Sequence, residues 1–588
     1  MKQFFKFVLA TILGIILSSV ILVVLVVILI ASASGDKNTI VADNSILYIS
    51  LQNAIEERTP DNPLQGLDFL GLGGDKNVGL KDILGNIKKA KNDSKIKGIF
   101  LDESYVQSGQ ATIEEIRNAL IDFKKSGKFI VAYSEIYTKG FYYLASVADK
   151  IYLNPKGMLE FDGFNSEVTF YKGALDKLGI EAQIIKVGTF KSAVEPYILT
   201  KMSDANRLQV TSYVGSLYDH YLTGIAKSRG INKDSLFKYA DNLYVAEPKD
   251  AVKYKLVDGL KYKDEIITEL KKRTGVAAKS DLNSVDLMDY SNSTADDKDE
   301  ETSSNRIAMV YASGEIAGGE GNDTNIGSET LSKSLRKVRL DNKVKAVVLR
   351  VNSPGGSSLA SDVIWREVML TRKVKPVIVS MGDMAASGGY YIACAADSIY
   401  AQPNTITGSI GIFAILPNMQ QLFNDKLGVT FDNVKTGKYA DMGGVDRPLT
   451  ADERAILQKQ VNQGYFDFTK AVADGRHKTR EYVDSIGQGR VWTGAQALKI
   501  GLVDRLGNID DAIKAAARMA KLKNYRLVNY PDQKSVLSSL SSSLGANMRE
   551  SMVKNELGES YSIYKQIKGL TRMMRVPQAR MLYNIDIK

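Results

Sequence analysis

The 588-residue chain holds a single cysteine, Cys394, and only two histidines, His220 and His477. One thiol cannot close an internal disulfide, and no cysteine-based metal cluster can form. A histidine zinc site or a Ser-His-Asp triad would have to use His220 or His477, and neither stands in a recognisable signature. Any hydrolase made from this chain therefore needs a base other than histidine. A concentrated basic arm is missing too. The net charge of +10, from 77 Lys and Arg against 67 Asp and Glu, is spread along the chain. That pattern reads as solvated lysine-rich surface, with at most a weak pull toward anionic lipid headgroups. No motif supports nucleic-acid binding, and no metal is expected. The hydrophobic fraction of 44% is ordinary for a globular protein, and the length calls for three or four units rather than one core.

Charge is absent altogether from Phe7 to Ala33, a run of 27 residues rich in Leu, Ile and Val. About 20 apolar residues in a helix suffice to span a bilayer. The rival reading is a cleaved signal peptide, since Ala31-Ser32-Ala33 resembles a small-residue cleavage site. Signal peptides carry shorter apolar regions, about 7–15 residues, so an uncleaved anchor is expected. Lys2 and Lys6 precede the run and place the N-terminus on the cytoplasmic side. In a bacterial inner membrane, a single-pass anchor of this kind puts the body in the periplasm.

The body contains a repeat. Phe129-Ile130-Val131, Gly140-Phe141-Tyr142-Tyr143 and Ala148-Asp149-Lys150-Ile151-Tyr152 recur as Val377-Ile378-Val379, Gly388-Gly389-Tyr390-Tyr391 and Ala396-Asp397-Ser398-Ile399-Tyr400, at a constant offset of 248. Lys177-Leu178-Gly179-Ile180 mirrors Lys426-Leu427-Gly428-Val429, and Leu256-Val257-Asp258 mirrors Leu502-Val503-Asp504. Asn292 to Asn305, almost without apolar residues, reads as a flexible linker. The expected layout is an anchor at 1–35, a first repeat at 40–290, an acidic linker at 291–305, a second repeat at 306–534 and a tail at 535–588. The tail, with Arg572, Arg575 and Arg580, is expected to be poorly ordered or docked on the surface. Within each copy, short β-branched runs such as Lys345 to Arg350 alternate with helical stretches such as Ser357 to Leu370. Such alternation predicts an α/β fold of β-α-β units with a largely parallel sheet.

Two turns could carry chemistry. Met384-Ala385-Ala386-Ser387-Gly388-Gly389-Tyr390-Tyr391 follows a strand and opens a helix, so backbone N–H groups converge near Ser387. Asn352-Ser353-Pro354-Gly355-Gly356 also joins a strand to a helix, and its glycine N–H groups could stabilise an oxyanion. Taken singly, the first is more often a helix cap and the second more often a plain turn. Together with Thr407-Gly408-Ser409-Ile410-Gly411-Ile412-Phe413 and Gly188-Thr189-Phe190-Lys191-Ser192-Ala193-Val194-Glu195-Pro196, they resemble the signal peptide peptidase A family, over nearly the whole chain.

That resemblance implies two tandem ClpP/crotonase-like domains after one N-terminal transmembrane helix, and a serine endopeptidase with a Ser/Lys dyad. By similarity, Ser387 is the nucleophile, Lys191 the general base and Ser409 the residue that orients the lysine. Gly388, Gly355 and Gly356 are the expected oxyanion hole. The family also implies cleaved signal peptides and other short hydrophobic peptides as substrates, a homotetramer, and no cofactor. The repeat is an independent check: Ser387 falls opposite Lys139 and Lys191 opposite Ala440, so each copy keeps one half of the site. A lysine base has to be buried away from carboxylates to be neutral, and Glu195, four residues on, has to point elsewhere. Cys394 is expected to be a small buried apolar residue, and both histidines to lie on helix surfaces. The rivals are a crotonase-like acyl-CoA hydratase or isomerase, for which no coenzyme A pocket is evident, and a membrane-tethered scaffold without activity.

Overall fold

Buried runs of Val, Ile and Leu become the strands of two parallel sheets. The structure, a computed structural model, describes residues 2–33, 39–59, 78–293, 303–322, 324–533, 553 and 577–581. The first sheet has the order Gly259–Leu260, Lys150–Leu159, Phe129–Tyr137, Ile96–Asp102, Ser45–Ile49, Ser284–Asp286, every pair parallel. The second has eight strands, six of them in the corresponding order Arg505–Leu506, Ser398–Ala401, Val377–Ala386, Val344–Ser353, Arg306–Ser313, Arg526–Tyr530, all parallel, with Ile406–Gly408 also beside Val377–Ala386 and Val491–Thr493 antiparallel to Ile406–Gly408. The two orders are the same topology, so the sequence repeat is a repeat of fold. Parallel neighbours need crossover connections, and helices such as Gln110–Lys124 and Ser358–Arg372 supply them.

The motif residues shared by the two copies do the same structural work in each. Asp149 accepts from the Ile130 N–H and Asp397 from the Val377 N–H, both at 2.8 Å. The Tyr142 hydroxyl donates to Leu256 O and the Tyr390 hydroxyl to Leu502 O, both at 2.8 Å. Asp258 accepts from the Ile151 N–H at 2.8 Å and Asp504 from the Ile399 N–H at 2.7 Å. Each contact satisfies a polar group beside the apolar core, where an orphaned one would cost about 1–3 kcal/mol. These matches therefore report the scaffold, not the chemistry.

A third, mixed sheet joins the copies. Its order is Asn325–Gly327, Glu315–Ala317, Gly355–Ser357, Gln578–Arg580, Phe413–Asn418, Glu181–Lys186. The last two strands, one from each copy, pair antiparallel from Phe413 opposite Lys186 to Asn418 opposite Glu181. A buried ionic cluster also bridges the copies. Arg350 Nε lies 2.8 Å from Glu57 and its Nη2 2.8 Å from Glu115. Nearby, Asp383 accepts from the Thr112 N–H at 2.8 Å and from the Thr112 hydroxyl at 2.6 Å. Burial raises the Glu115 carboxyl to about 7, with Arg350 opposing and Glu57 adding to the rise.

Residues Lys2–Ala33 form one helix. Its side chains at 22–33 lie outside the described residues, and among the described residues no helix is long and apolar enough to cross a membrane. Of the linker, residues 294–302 lie outside the described residues. Of the tail, residues 553 and 577–581 are described, and the second piece is not docked on the surface. Gln578, Ala579 and Met581 are buried, because Gln578–Arg580 enters the third sheet as a strand. Its backbone groups find partners there that a surface tail would have left to water.

Candidate active site

Ser387 sits where the strand Val377–Ala386 ends and the helix Gly388–Ala393 begins. Its backbone is at φ 56°, ψ −114°, outside the favoured regions for a residue with a side chain. Such a conformation costs about 1–3 kcal/mol and persists only where its surroundings impose it. Here the Ser387 N–H donates to Gly408 O at 2.8 Å, and Ser387 O accepts from the Tyr391 N–H at 2.8 Å. The sharp strand-to-helix turn holds the hydroxyl at the end of the sheet. Ser409 also has a positive φ, 50°, and its N–H donates to Arg490 O at 2.7 Å.

Lys191 arrives from the first copy. The strand Glu181–Lys186, fixed by its pairing with Phe413–Asn418, leads the chain over the end of the second sheet. The Val187 N–H donates to Ile412 O and the Phe190 N–H to Gln488 O, carrying the cross-copy pairing up to the lysine. Lys191 Nζ lies 3.0 Å from Ser387 Oγ, 3.1 Å from Ser409 Oγ and 3.1 Å from Ser409 O. Ser387, Lys191 and Ser409 are respectively 0%, 1% and 2% exposed. A neutral amine has two N–H donors and one lone pair. The Ser409 carbonyl can only accept and the Ser409 hydroxyl can do so too, which leaves the lone pair for the proton of Ser387. Burial pushes the Lys191 amine down from its ordinary 10.5 to about 7, with no charged group opposing it. Glu195 does point elsewhere: it accepts from the Ser203 hydroxyl at 2.6 Å and from Asn206 Nδ2 at 2.9 Å, supporting the start of the helix Asp204–Arg229.

The glycines crowd the same spot. A Cβ on Gly355 would lie 2.6 Å from the Gly388 N and 2.2 Å from the Ala579 carbonyl oxygen, so only glycine allows the two loops to meet. Gly388 opens its helix, where the first N–H groups lack intrahelical acceptors. One expectation needs correction. The Gly355 N–H donates to Ser353 Oγ at 3.1 Å, and Ser353 Oγ donates in turn to Gly314 O at 2.6 Å. That N–H is spent on shaping the turn, which leaves the Gly388 and Gly356 N–H groups of the three expected.

The other singled-out residues are elsewhere. Lys139 lies 2.6 Å from Asp162, and Ala440 lies in an exposed turn. Cys394 is buried and its thiol is pushed up to about 12 by burial, as suits a small apolar residue. His477 is an exposed helix cap, but His220 is not on the surface: it is half-buried, 3.1 Å from Glu114. Two glycines frame the lysine: Gly411, inside the Thr407–Phe413 motif but given no role there, and Gly489, outside every motif. A Cβ on Gly489, at φ +81°, would lie 2.6 Å from both N and Cα of Lys191, and one on Gly411 would lie 3.1 Å from Lys191 Cδ. In sequence, Gly487-Gln488-Gly489 announces only a turn.

Comparison with known proteins identifies the family. The model of peptidase family S49 matches residues 122–277 and again 369–523, and that of the Clp protease family matches residues 298–407. Protease 4 of Salmonella typhi is 40% identical over 480 residues, 80% of this chain and 76% of its own. Protease 4 of Haemophilus influenzae is 35% identical over 580 residues, 94% of this chain and 93% of its own. The chloroplastic serine protease SPPA of Arabidopsis thaliana is 32% identical over 516 residues, 86% and 74% of the two chains. With the family domain present twice and relatives aligned along most of its length, the chain belongs to peptidase family S49, in the long, tandem-duplicated form of signal peptide peptidase A, and is a serine peptidase.

Proposed function

We propose that Ser387 and Lys191 are the catalytic dyad of a membrane-anchored endopeptidase that degrades cleaved signal peptides and other short hydrophobic peptides. The observation that carries this reading is the 3.0 Å approach of a buried Lys191 amine to Ser387 Oγ. Ser387 attacks the scissile carbonyl carbon while Lys191 takes its proton. The Gly388 and Gly356 N–H groups hold the oxyanion, and Ser409 fixes the lysine's orientation. Lys191 then protonates the leaving amine, and water hydrolyses the acyl-enzyme through the same amine. No cofactor enters these steps.

The remaining parts of the proposal rest on the sequence. The apolar run Phe7–Ala33 supports a single-pass anchor within residues 1–35, with a periplasmic body. The units are the repeats at 40–290 and 306–534, joined by 291–305 and followed by the tail at 535–588, and the family resemblance alone implies that four copies assemble as a homotetramer. The dyad is tested with detergent-solubilised full-length protein and a fluorogenic apolar peptide. Ser387→Ala and Lys191→Ala should each lower kcat/KM by at least about 10³-fold, the scale seen when a nucleophile or its base is removed. Retention of near-normal hydrolysis by Lys191→Ala would remove the lysine from the mechanism.

A further inference from the structure

The two residues that flank Lys191 are held by one side chain. Gln209, on the first-copy helix Asp204–Arg229, is fully buried. Its Nε2 donates to Phe190 O at 3.0 Å and to Ser192 Oγ at 2.8 Å, on either side of the lysine. Its Oε1 accepts from the Val491 N–H of the second copy at 3.2 Å. Turning the amide over would set its oxygen against the Phe190 carbonyl and its donors against the Val491 N–H. Only the orientation seen pairs every group.

Val491 is itself placed by the catalytic turns. It begins the strand Val491–Thr493, which runs antiparallel to Ile406–Gly408 with Val491 opposite Gly408. Gly408 O accepts from the Ser387 N–H at 2.8 Å, and Arg490 O accepts from the Ser409 N–H at 2.7 Å. Gln209 therefore ties the lysine's loop to the strand pair on which the backbones of both serines hang. A carboxylate in its place could not donate to Phe190 O, and it would bring a charge to the loop of an amine that has to stay neutral. The contacts continue to Asn206, whose Oδ1 accepts from Gln209 Nε2 at 3.1 Å while its Nδ2 donates to Glu195 at 2.9 Å. One network thus seats the lysine's loop and turns Glu195 away from it.

The repeat adds an independent sign. Asp204–Arg229 and Ala451–Arg476 are matching helices of 26 residues, capped by Ser203 and Thr450 and closed by arginines that pair with Asp258 and Asp504. Aligned without a gap, they put Gln209 opposite Ile456. The copy with Ala440 in the lysine's place has no amide there to hold one.

We propose that Gln209 is the positioning residue that sets Lys191 at its distance from Ser387 and Ser409, a role that rests on the Ser387/Lys191 reading. The lysine gains and loses a proton twice in each turnover. As an ammonium it is drawn toward water, and the amide holds its loop against that pull, so that Nζ is in place for the next transfer.

The test uses detergent-solubilised full-length protein. Wild type, Gln209→Met and Gln209→Glu are titrated with a fluorophosphonate, which counts intact sites, and assayed on a fluorogenic apolar peptide from pH 6 to 10. Gln209→Met follows the shape of glutamine without its hydrogen bonds. It should lower kcat per titrated site by about 10–100-fold, with KM within about threefold of wild type. Its pH midpoint should lie above the wild-type value of about 7, because a loosened lysine is better hydrated. Gln209→Glu keeps an acceptor for Val491 and loses the donors. It should raise the midpoint further, and it decides the matter where Gln209→Met leaves too few sites to titrate. In a Lys191→Ala background, Gln209→Met should change the residual labelling rate by less than about twofold, since no lysine is left to place. Unchanged kcat per site and midpoint, whatever the number of titrated sites, overturn the proposal and leave the glutamine a structural part. A full-sized loss of labelling in the Lys191→Ala background overturns it as well, because the effect then bypasses the lysine. Near-normal hydrolysis by Lys191→Ala alone overturns the dyad reading itself, whatever Gln209 does.

Discussion

Placing a carboxylate beside Lys191 should shift the enzyme's activity toward alkaline pH. Ser409 is the position for it, since its Oγ lies 3.1 Å from Nζ and its φ of +50° is one that aspartate tolerates. At an amine value of about 7, half the lysines are neutral at pH 7; at the ordinary 10.5, only about 3 in 10⁴ would be. A carboxylate about 4 Å away, at an effective dielectric near 20, favours the ammonium by about 4 kcal/mol, or about three pKa units. Ser409→Asp should therefore move the midpoint of kcat/KM against pH from about 7 to about 10. Activity at pH 7 should fall about 10³-fold and return as the pH is raised. Ser409→Ala removes one hydrogen-bond partner without adding charge and should leave the midpoint within about one unit of the wild-type value. The assay is hydrolysis of a neutral apolar peptide from pH 6 to 10.5. A Ser409→Asp profile that keeps the wild-type midpoint and is merely lower throughout would refute the argument, because the titrating base would then not be the amine beside residue 409.

The same amine links activity to stability. With its value lowered from 10.5 to about 7, the unfolded chain binds the extra proton between those limits, so stability should rise with pH across that window. Below pH 7 the folded protein carries the full cost of a buried ammonium, on the order of 5 kcal/mol. Lys191→Met should thus be inactive yet more resistant to urea at pH 6, with its advantage shrinking toward pH 10; an equal advantage at both would contradict the burial account. Gly489→Ala forces a Cβ against the Lys191 backbone at a position with φ +81°. It should lower kcat by about 100-fold or more with the circular dichroism spectrum retained, and full activity would show that the glycine does not set the lysine's place. Arg350→Met strands Glu57 and Glu115 in the core and should cost about 3–5 kcal/mol in urea unfolding. Adding Glu57→Gln and Glu115→Gln should recover most of that loss, and no recovery would mean that the cost is one of packing.

Much of this was legible because the repeat writes the scaffold twice. Tyr142 and Tyr390, or Asp149 and Asp397, stand out in sequence since each copy needs the same buried hydrogen bond. The β-branched runs gave the parallel strands for the same reason: burial on both faces leaves little room for polar residues. The half-sites came from the family resemblance, and the repeat agreed with them by setting Ser387 against Lys139 and Lys191 against Ala440. What stayed hidden depends on contacts between distant segments. Gly489 matters through Lys191, almost 300 positions away, and no local pattern encodes that. The Gly355 N–H looked like an anion donor until Ser353 proved to be its partner. The tail reads as Ser-rich and then basic, and nothing in it announces a strand, because the strand exists only by borrowing the edges of Gly355–Ser357 and Phe413–Asn418.

The division of the site between copies follows from how that third sheet is built. A lysine base needs dry surroundings, and neither copy has them alone. The second copy's strand end supplies Ser387, Ser409 and the Phe413 ring, 5.8 Å from Nζ. The first copy supplies the amine and, through Glu181–Lys186, the strand that holds it against Phe413–Asn418. Gly411 and Gly489 of the second copy then close around the lysine's stem. Pulling the copies apart would solvate the amine and return it toward its ordinary value, where few molecules are neutral at pH 7. Interface strength and base strength are therefore one quantity in this chain. The buried Arg350–Glu57–Glu115 cluster and the Asp383–Thr112 contact lie on the interface that maintains it. A substitution there that leaves every dyad atom untouched acts on catalysis by wetting Lys191, and its signature is a raised midpoint in the pH profile, not a uniform loss of rate.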